Sequence, residues 1–267
     1  VPSKVDEMLY TSGSPRSEEI AAYIRDNIGD NREFLESEEL AIIIGGDGFF
    51  FKMIKELPDD TKFLPLNGGS LGYTLNDTDD LEETLRLIVT QEWKLYSFPR
   101  MTCIFRSRDR EIYLDAGAND VFIERATGQT AKLNFRIDNV DMLENPVSCD
   151  GMIISTALGS TAYSLSAGGP IVHPAMKSFG ITFSNPHYPR LTPMIVPGDV
   201  EIVVTVSEQE KRPVKIYCDG REVDWSGKTG RVIIEEIVLR YDSHPVSVFY
   251  LNGYCRTKQL ASKFIRR

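Results

Sequence analysis

The 267-residue chain is poor in cysteine and histidine, with four of the first and three of the second. Cys103, Cys149, Cys218 and Cys255 are widely scattered, and no C-x-x-C pair or Cys/His cluster occurs. That spacing supports neither a zinc site nor a disulfide framework, so no protein metal ligands are assigned. Reduced thiols in a cytosolic compartment are the expectation. Long apolar runs are missing as well: none approaches the length of a membrane span. The opening VPSKVDEMLYTSGSPRSEE lacks the apolar core of a signal peptide, which again points to the cytoplasm and away from a membrane. There is no excess of positive charge. The formal net charge is −9, which argues against a broad nucleic-acid-binding surface. A small polyanion is still compatible, held locally by backbone N–H groups, a few cations or a metal. Repeats and low-complexity linkers are absent, and so is the G-x-x-x-x-G-K-[ST] of a P-loop.

What remains is a globular composition, 42% hydrophobic and 26% charged, with ample material for a core. The first third alternates. Val5–Tyr10 reads as a short strand followed by the loop TSGSP. Glu18–Asn27 has helical spacing, with Ser17 as its cap. Leu40–Ile44 is a continuous apolar strand of the kind covered on both faces. Phe49–Leu57 reads as a helix, Lys62–Leu66 as a strand, NGGSLGY as a glycine-rich loop and Asp79–Val89 as a helix. Strand, glycine loop and helix in repetition predict an α/β domain with a largely parallel sheet, residues 1–95. From about Trp93 to Tyr250 the period changes to strands. This predicts an all-β, β-sandwich-like domain over 96–250. The tail Thr257–Ile265 reads as a helix, and 251–267 is expected to rejoin the first domain.

Three segments carry chemistry. AIIIGGDGFFFK (41–52) stops an apolar strand at Gly-Gly-Asp-Gly. At the end of a parallel strand a ligand crevice is usual, because glycines let phosphates approach the backbone and the next helix offers N–H groups at its positive end. The plain alternative is a turn, with Asp47 capping the helix. NGGSLGY (67–73) occupies the same topological position, so both loops are expected to line one cleft; its alternative is turn chemistry. DGMIISTALGSTAYSLSAGGPIVHP (150–174) is dense in short hydroxyls, which suits hydrogen bonding to sugars and an adenine edge. Helix capping by Ser160 or Thr161 accounts for one or two of them. His173 and His187, each beside a proline and without a metal-ligand partner, read as structural.

Together GGDG, NGGSLGY, AND (118–120) and the DG…GSTAY…SAGGPI block, in that order from Gly45 to Pro174, resemble the NAD kinase family; CDGR (218–221) resembles a weaker element of it. The resemblance implies the two-domain fold just described. It implies transfer of a terminal phosphoryl group from ATP or polyphosphate to the 2′-hydroxyl of the adenosine ribose of NAD, giving NADP. Mg²⁺ or another divalent metal would assist, in a homodimer or homotetramer whose NAD site is shared between subunits. Residue by residue, it implies that Asp47 is the base for the 2′-hydroxyl, or binds the ribose, with Gly48 beside it. It places Tyr73 near adenine, Asn119 and Asp120 on NAD, and Asp150 at the nicotinamide end. Thr161, Ala162, Tyr163, Ser164, Leu165 and Ser166 would contact adenosine and nicotinamide, and Arg221 the cofactor. Four positions depart from the family pattern. Phe49 stands where Thr is usual, Ser70 for His, Ala157 for Pro and Ser148 for a basic residue. The first two motivate a second reading, a catalytically impaired NAD- or NADP-binding protein on the same fold. A lipid kinase sharing GGDG is a third, for which no membrane-facing amphipathic stretch speaks.

Overall fold

The computed structural model describes residues 4–29, 40–69, 72–107, 110–223, 235–255, 257–258 and 261. The chain forms two units, Val1–Ser97 with Val246–Arg267, and Phe98–Pro245.

In the first unit, helix α1 (Lys4–Met8) leads into strand β1 (Leu9–Thr11). The sequence reading had a strand from Val5. Instead Val5 is 2% exposed in a helical turn and joins the core from there. Helix α2 (Pro15–Asn27) begins three residues earlier than its apolar spacing suggested. Its cap is Ser14, whose Oγ accepts from the Ser17 amide at 3.2 Å. Pro15 suits the first helical position because its missing N–H would have no partner there. Strand β2 (Leu40–Gly45) is buried along its whole length. Helix α3 (Asp47–Glu56) follows, then β3 (Lys62–Asn67) and helix α4 (Leu81–Val89), which is capped by Asp80. Strands β1, β2 and β3 pair in parallel, Leu9 with Ile42 and Ala41 with Phe63. The core beside them collects Ile20 and Ile24 of α2, Ile42 and Ile44 of β2, Leu64 and Leu66 of β3, and Leu85 and Ile88 of α4. These are the apolar stripes that helical and strand periods place on one face.

Strand β4 (Trp93–Ser107) carries the chain into the second unit. There follow β5 (Arg110–Gly117), β6 (Asp120–Arg125), β7 (Ala131–Ile137), β8 (Val140–Asp141), β9 (Val147–Cys149) and β10 (Gly151–Thr156). A 3₁₀ turn (Gly159–Thr161) and helix α5 (Tyr163–Ser166) precede β11 (Ser178–Ser184), β12 (Met194–Pro197), β13 (Ile202–Val206), β14 (Val214–Cys218), β15 (Arg221–Glu222) and β16 (Glu236–Leu251). One sheet runs β12-β11-β10-β6-β14-β15, and its neighbouring strands pair antiparallel. Strand β13 pairs antiparallel with β7 and with the first part of β16. A single core joins every second residue of these strands: Val121 and Ile123, Leu133 and Phe135, Met152 and Ile154, Phe179, Ile181 and Phe183, Ile202 and Val204, Ile237 and Leu239. Alternation with a period of two places those side chains on the inner faces. Strand β16 ends in the first unit, where Ser247 and Val248 pair in parallel with Lys62 and Phe63. Of the predicted tail helix, Thr257, Lys258 and Ala261 are helical, and the rest lies outside the described residues. No helix among the described residues is long and apolar enough to cross a membrane.

Candidate functional site

In the first unit three loops leave the carboxyl ends of β1, β2 and β3 side by side. The loop after β1 is fastened to β2 by the Ser12 amide, which donates to Ile44 O at 3.0 Å. Its hydroxyls form a short chain: Ser12 Oγ and Ser14 Oγ each lie 2.8 Å from Ser17 Oγ, and Ser14 Oγ donates to Gly68 O at 3.3 Å. The Gly68 amide donates to Gly45 O at 2.9 Å. By sequence TSGSP is a plain connecting loop. Its position after a parallel strand was the available signal.

Asp47 is the first residue of α3, with Gly46 as a cap that has no side chain to offer. The amides of Phe49 and Phe50 donate to Gly46 O, at 3.0 and 3.1 Å. Helical geometry leaves those of Asp47 and Gly48 without an intrahelical acceptor. The Asp47 carboxylate turns to the second glycine loop instead of capping its own helix. Oδ2 accepts from the Tyr73 amide at 3.0 Å, and Oδ1 from the Thr74 amide at 2.9 Å and from Thr74 Oγ1. A carboxylate offers about four acceptor sites, two per oxygen. Three are used here, which leaves one on Oδ2. Phe49 has a structural account as well: its ring lies so close to Gly45 that a Cβ there would meet Phe49 Cδ1 at 2.8 Å. Ser70 lies outside the described residues. Asn67, Tyr73, Asp80, Glu83, Asn252 and Tyr254 are among the residues that line a cavity of about 630 Å³ in this unit.

In the second unit Asn119 and Asp120 follow β5 at a turn that Asp219 and Thr156 hold. Asp219, at φ 47°, accepts from three successive amides: Ala118 at 3.0 Å, Asn119 at 2.8 Å and Asp120 at 3.1 Å. Thr156 Oγ1 donates to Ala118 O at 2.6 Å, and the Thr156 amide donates to Asn119 O at 3.0 Å. Gly159 passes so near that a Cβ would sit 1.8 Å from Asn119 O. The Asn-Asp pair and the hydroxyl-rich segment are thereby locked together. Arg221 was read out of CDGR, whereas Asp219 in the same tetrapeptide does the holding; Arg221 is exposed at the start of β15.

Thr161 and Ala162 are half-buried in the turn before α5, and Leu165 is half-buried within that helix; Ser166 is exposed. Tyr163, 37% exposed, sets its ring edge-on to Phe122 at 5.0 Å. Phe122 in turn stacks on Tyr217 at 4.5 Å. Ser164 points inward, 3.1 Å from Thr182 Oγ1. Ser160 caps no helix; its hydroxyl donates to Ala157 O at 2.8 Å and accepts from the Val172 amide at 3.0 Å. Asp150 stands at the opposite end of β10, about 20 Å from Thr156 by the rise of six strand residues. Arg125 Nε meets its Oδ1 at 2.7 Å, and Asn185 Nδ2 donates to its Oδ2 at 2.9 Å. Arg125, on β6, thus gives Asp150 a cationic partner. The neighbouring Cys149 thiol is pushed up to about 12 by burial, which leaves it inert. His173 Nδ1 accepts from the Ala175 amide at 3.2 Å.

Residues 118–240 match the ATP-NAD kinase C-terminal domain family. An NAD kinase of Lachnospira eligens is 37% identical over 185 residues, 68% of this chain and 62% of that protein, so the match spans less than two thirds of its length. An NAD kinase of Cellvibrio japonicus is 33% identical over 228 residues, 82% of this chain and 74% of that protein. Among solved structures, yeast NADH kinase complexed with NADH superposes with a TM-score of 0.78 at 18% identity, covering 96% of this chain and 86% of that one. An NAD kinase from Archaeoglobus fulgidus in complex with ATP gives 0.75 at 20%, covering 97% and 98%. The structural likeness carries the fold, and the sequence likeness across most of the Cellvibrio protein carries the kinship: the chain belongs to the NAD kinase family.

Proposed function

We propose that the protein transfers the terminal phosphoryl group of ATP, or of polyphosphate, to the 2′-hydroxyl of the adenosine ribose of NAD. The observation that carries this is Asp47, a carboxylate held by three internal donors with one acceptor site left on Oδ2. That oxygen takes the 2′-hydroxyl proton as the 2′ oxygen bonds to the γ-phosphorus. The bond from phosphorus to the bridging oxygen breaks, and ADP, or the shortened polyphosphate, leaves with its electron pair. Such transfers depend mostly on position and charge neutralisation. The open amides at the start of α3 suit the donor's phosphates. Asn119 and Asp120 serve NAD from their clamped turn, Tyr163 offers a ring to a base, and Asp150 serves the nicotinamide end. Tyr73 and the backbone of 161–166 complete the recognition, with Arg221 at its margin.

Among the described residues no group of three or more His, Cys, Asp and Glu side chains converges. That donor set fits a Mg²⁺ carried on the phosphates better than one caged by the protein. The metal would supply charge neutralisation there. Relatives named NAD kinase and the match to the ATP-NAD kinase C-terminal domain family support the substrates, as do neighbours complexed with NADH and with ATP. A homo-oligomer in the cytoplasm suits cysteines that form no disulfide among the described residues and apolar side chains left in water, such as Tyr188 at 80% exposure.

The test is a coupled assay for NADP with purified protein, NAD, Mg²⁺ and either ATP or polyphosphate. NADP formation establishes the activity and its donor. Binding of NAD by calorimetry without turnover on any donor removes it.

A further inference from the structure

The last strand does more than close the sheet of the first unit. Asn76 pins it to the second glycine loop: Asn76 Nδ2 donates to Phe249 O at 3.0 Å, and the Leu251 amide donates to Asn76 Oδ1 at 2.8 Å. This fixes the register of β16 against Thr74–Asn76. Two tyrosines on either side of Leu251 then reach the loop. Tyr250, 4% exposed, donates its hydroxyl to Thr74 O at 3.0 Å. Tyr254 donates to Tyr73 O at 3.2 Å. Their rings stack at 4.0 Å and 17°, so neither hydroxyl swings freely.

The two carbonyls are next to the two amides that hold Asp47. A peptide group is planar, with its C=O and N–H pointing in opposite directions. The peptide joining Tyr73 to Thr74 is therefore gripped at both ends, by Tyr254 on its oxygen and by Asp47 Oδ1 on its N–H, 2.9 Å away. Turning that plane loses both bonds. The next carbonyl is buried behind it and needs its own partner, which Tyr250 provides.

We propose that Tyr250 and Tyr254 are positioning residues for Asp47, acting through the Tyr73–Thr74 backbone. This rests on the phosphoryl-transfer reading. The C-terminal segment would then set the orientation of a carboxylate some 200 residues earlier in the chain, as the separation of Tyr254 from Asp47 dictates. Neither tyrosine touches substrate in this scheme. Removing a hydroxyl leaves the ring stack intact and frees the peptide to turn.

The experiment compares the wild type with Tyr254→Phe and Tyr250→Phe, using NAD with the MgATP or polyphosphate that supports turnover. Three quantities are read: kcat and KM, the thermal midpoint, and hydrogen exchange at the Thr74 amide without substrates. Expected are a kcat lowered roughly five- to tenfold in Tyr254→Phe, as loss of one hydrogen bond allows, and an unchanged KM for NAD. Thr74 exchange should be faster by a similar factor, with a midpoint within a few degrees of the wild type. Thr74 exchange at the wild-type rate overturns the clamp. Faster exchange with wild-type kcat shows a loop held for stability alone and overturns the positioning role. A wild type that forms no NADP from any donor removes the phosphoryl-transfer reading instead, while the exchange result still decides whether the clamp exists.

Discussion

In the proposed reaction Asp47 has two jobs that conflict in any substitute. It must accept three internal hydrogen bonds and still present an oxygen outward. Asparagine keeps one carbonyl oxygen for Thr74, but its amide nitrogen then faces the Tyr73 amide, donor against donor. Asp47→Asn should therefore do more than remove a base. NADP formation should fall by roughly 10²–10⁴, the usual contribution of general-base catalysis. The first unit should lose about 1–3 kcal/mol, the cost of a polar group left unpaired. Initial rates and urea unfolding check the two halves, and a wild-type rate in the variant would take Asp47 out of the reaction. Gly159 offers the complementary case. A methyl group at that position meets Asn119 O at 1.8 Å, so the backbone itself must move. Gly159→Ala should cost the second unit about 3 kcal/mol, at the upper end for overpacking, and should weaken NAD binding by calorimetry. An alanine variant with native stability and affinity would mean the 3₁₀ turn can shift without cost.

At the scale of elements, the candidate functional groups sit where strands stop. Strands β1, β2 and β3 each end in a loop rich in glycine or serine, and the loops are tied by backbone bonds such as Gly68 N–H to Gly45 O. The fully buried pattern of β2 was legible because a strand covered on both faces has no polar alternation. The start of α3 was less so. Counting apolar residues put it at Phe49, but a helix begins where backbone geometry permits, and Gly46 allows it at Asp47. The long run EIYLDAGANDVFIER reads as one strand by composition, yet it breaks at Ala118–Asn119. The break depends on Asp219, about a hundred residues away, whose carboxylate holds three amides out of any ladder. No local propensity encodes that.

For the whole molecule, acid stability follows from a charge network in the second unit. Arg106 and Arg240 both bond Glu111 and Glu201. Hydrogen bonds from Arg106 and then Arg240 hold the Glu111 carboxyl below its ordinary 4.5. At Glu201 burial pushes upward, but the bonds from Arg240 and Arg106 outweigh it, so it too is lowered. A carboxyl depressed in the folded state adds stability above its unfolded pKa, and loses it as the pH falls through the folded value. The urea midpoint of this unit should be level from pH 7 to about 5 and then fall below 4.5. Glu201→Gln should lower the unfolding free energy at pH 7 by about 1 kcal/mol for so exposed a network, with a lower urea midpoint, and flatten the acid limb. Circular dichroism across that range checks both, and an acid limb as steep in the variant would assign the loss to other carboxylates.

The sequence by itself determined the α/β and β-rich character of the chain, because the periods of 3.6 and 2 follow from local geometry. It also determined kinship, since GGDG and the GSTAY block carry their signal in contiguous residues. Only the tertiary structure decided what Asp47 bonds, because its partners Tyr73 and Thr74 lie 26 and 27 positions away. It alone decided that Asp219 holds the Asn119–Asp120 turn, that Ser164 faces inward, and that Tyr250 and Tyr254 grip the far side of the second loop. Each of these is a hydrogen bond across a long separation in the chain. Its direction depends on where a backbone carbonyl or amide points after the whole unit has packed, and a string of side-chain identities does not contain that information.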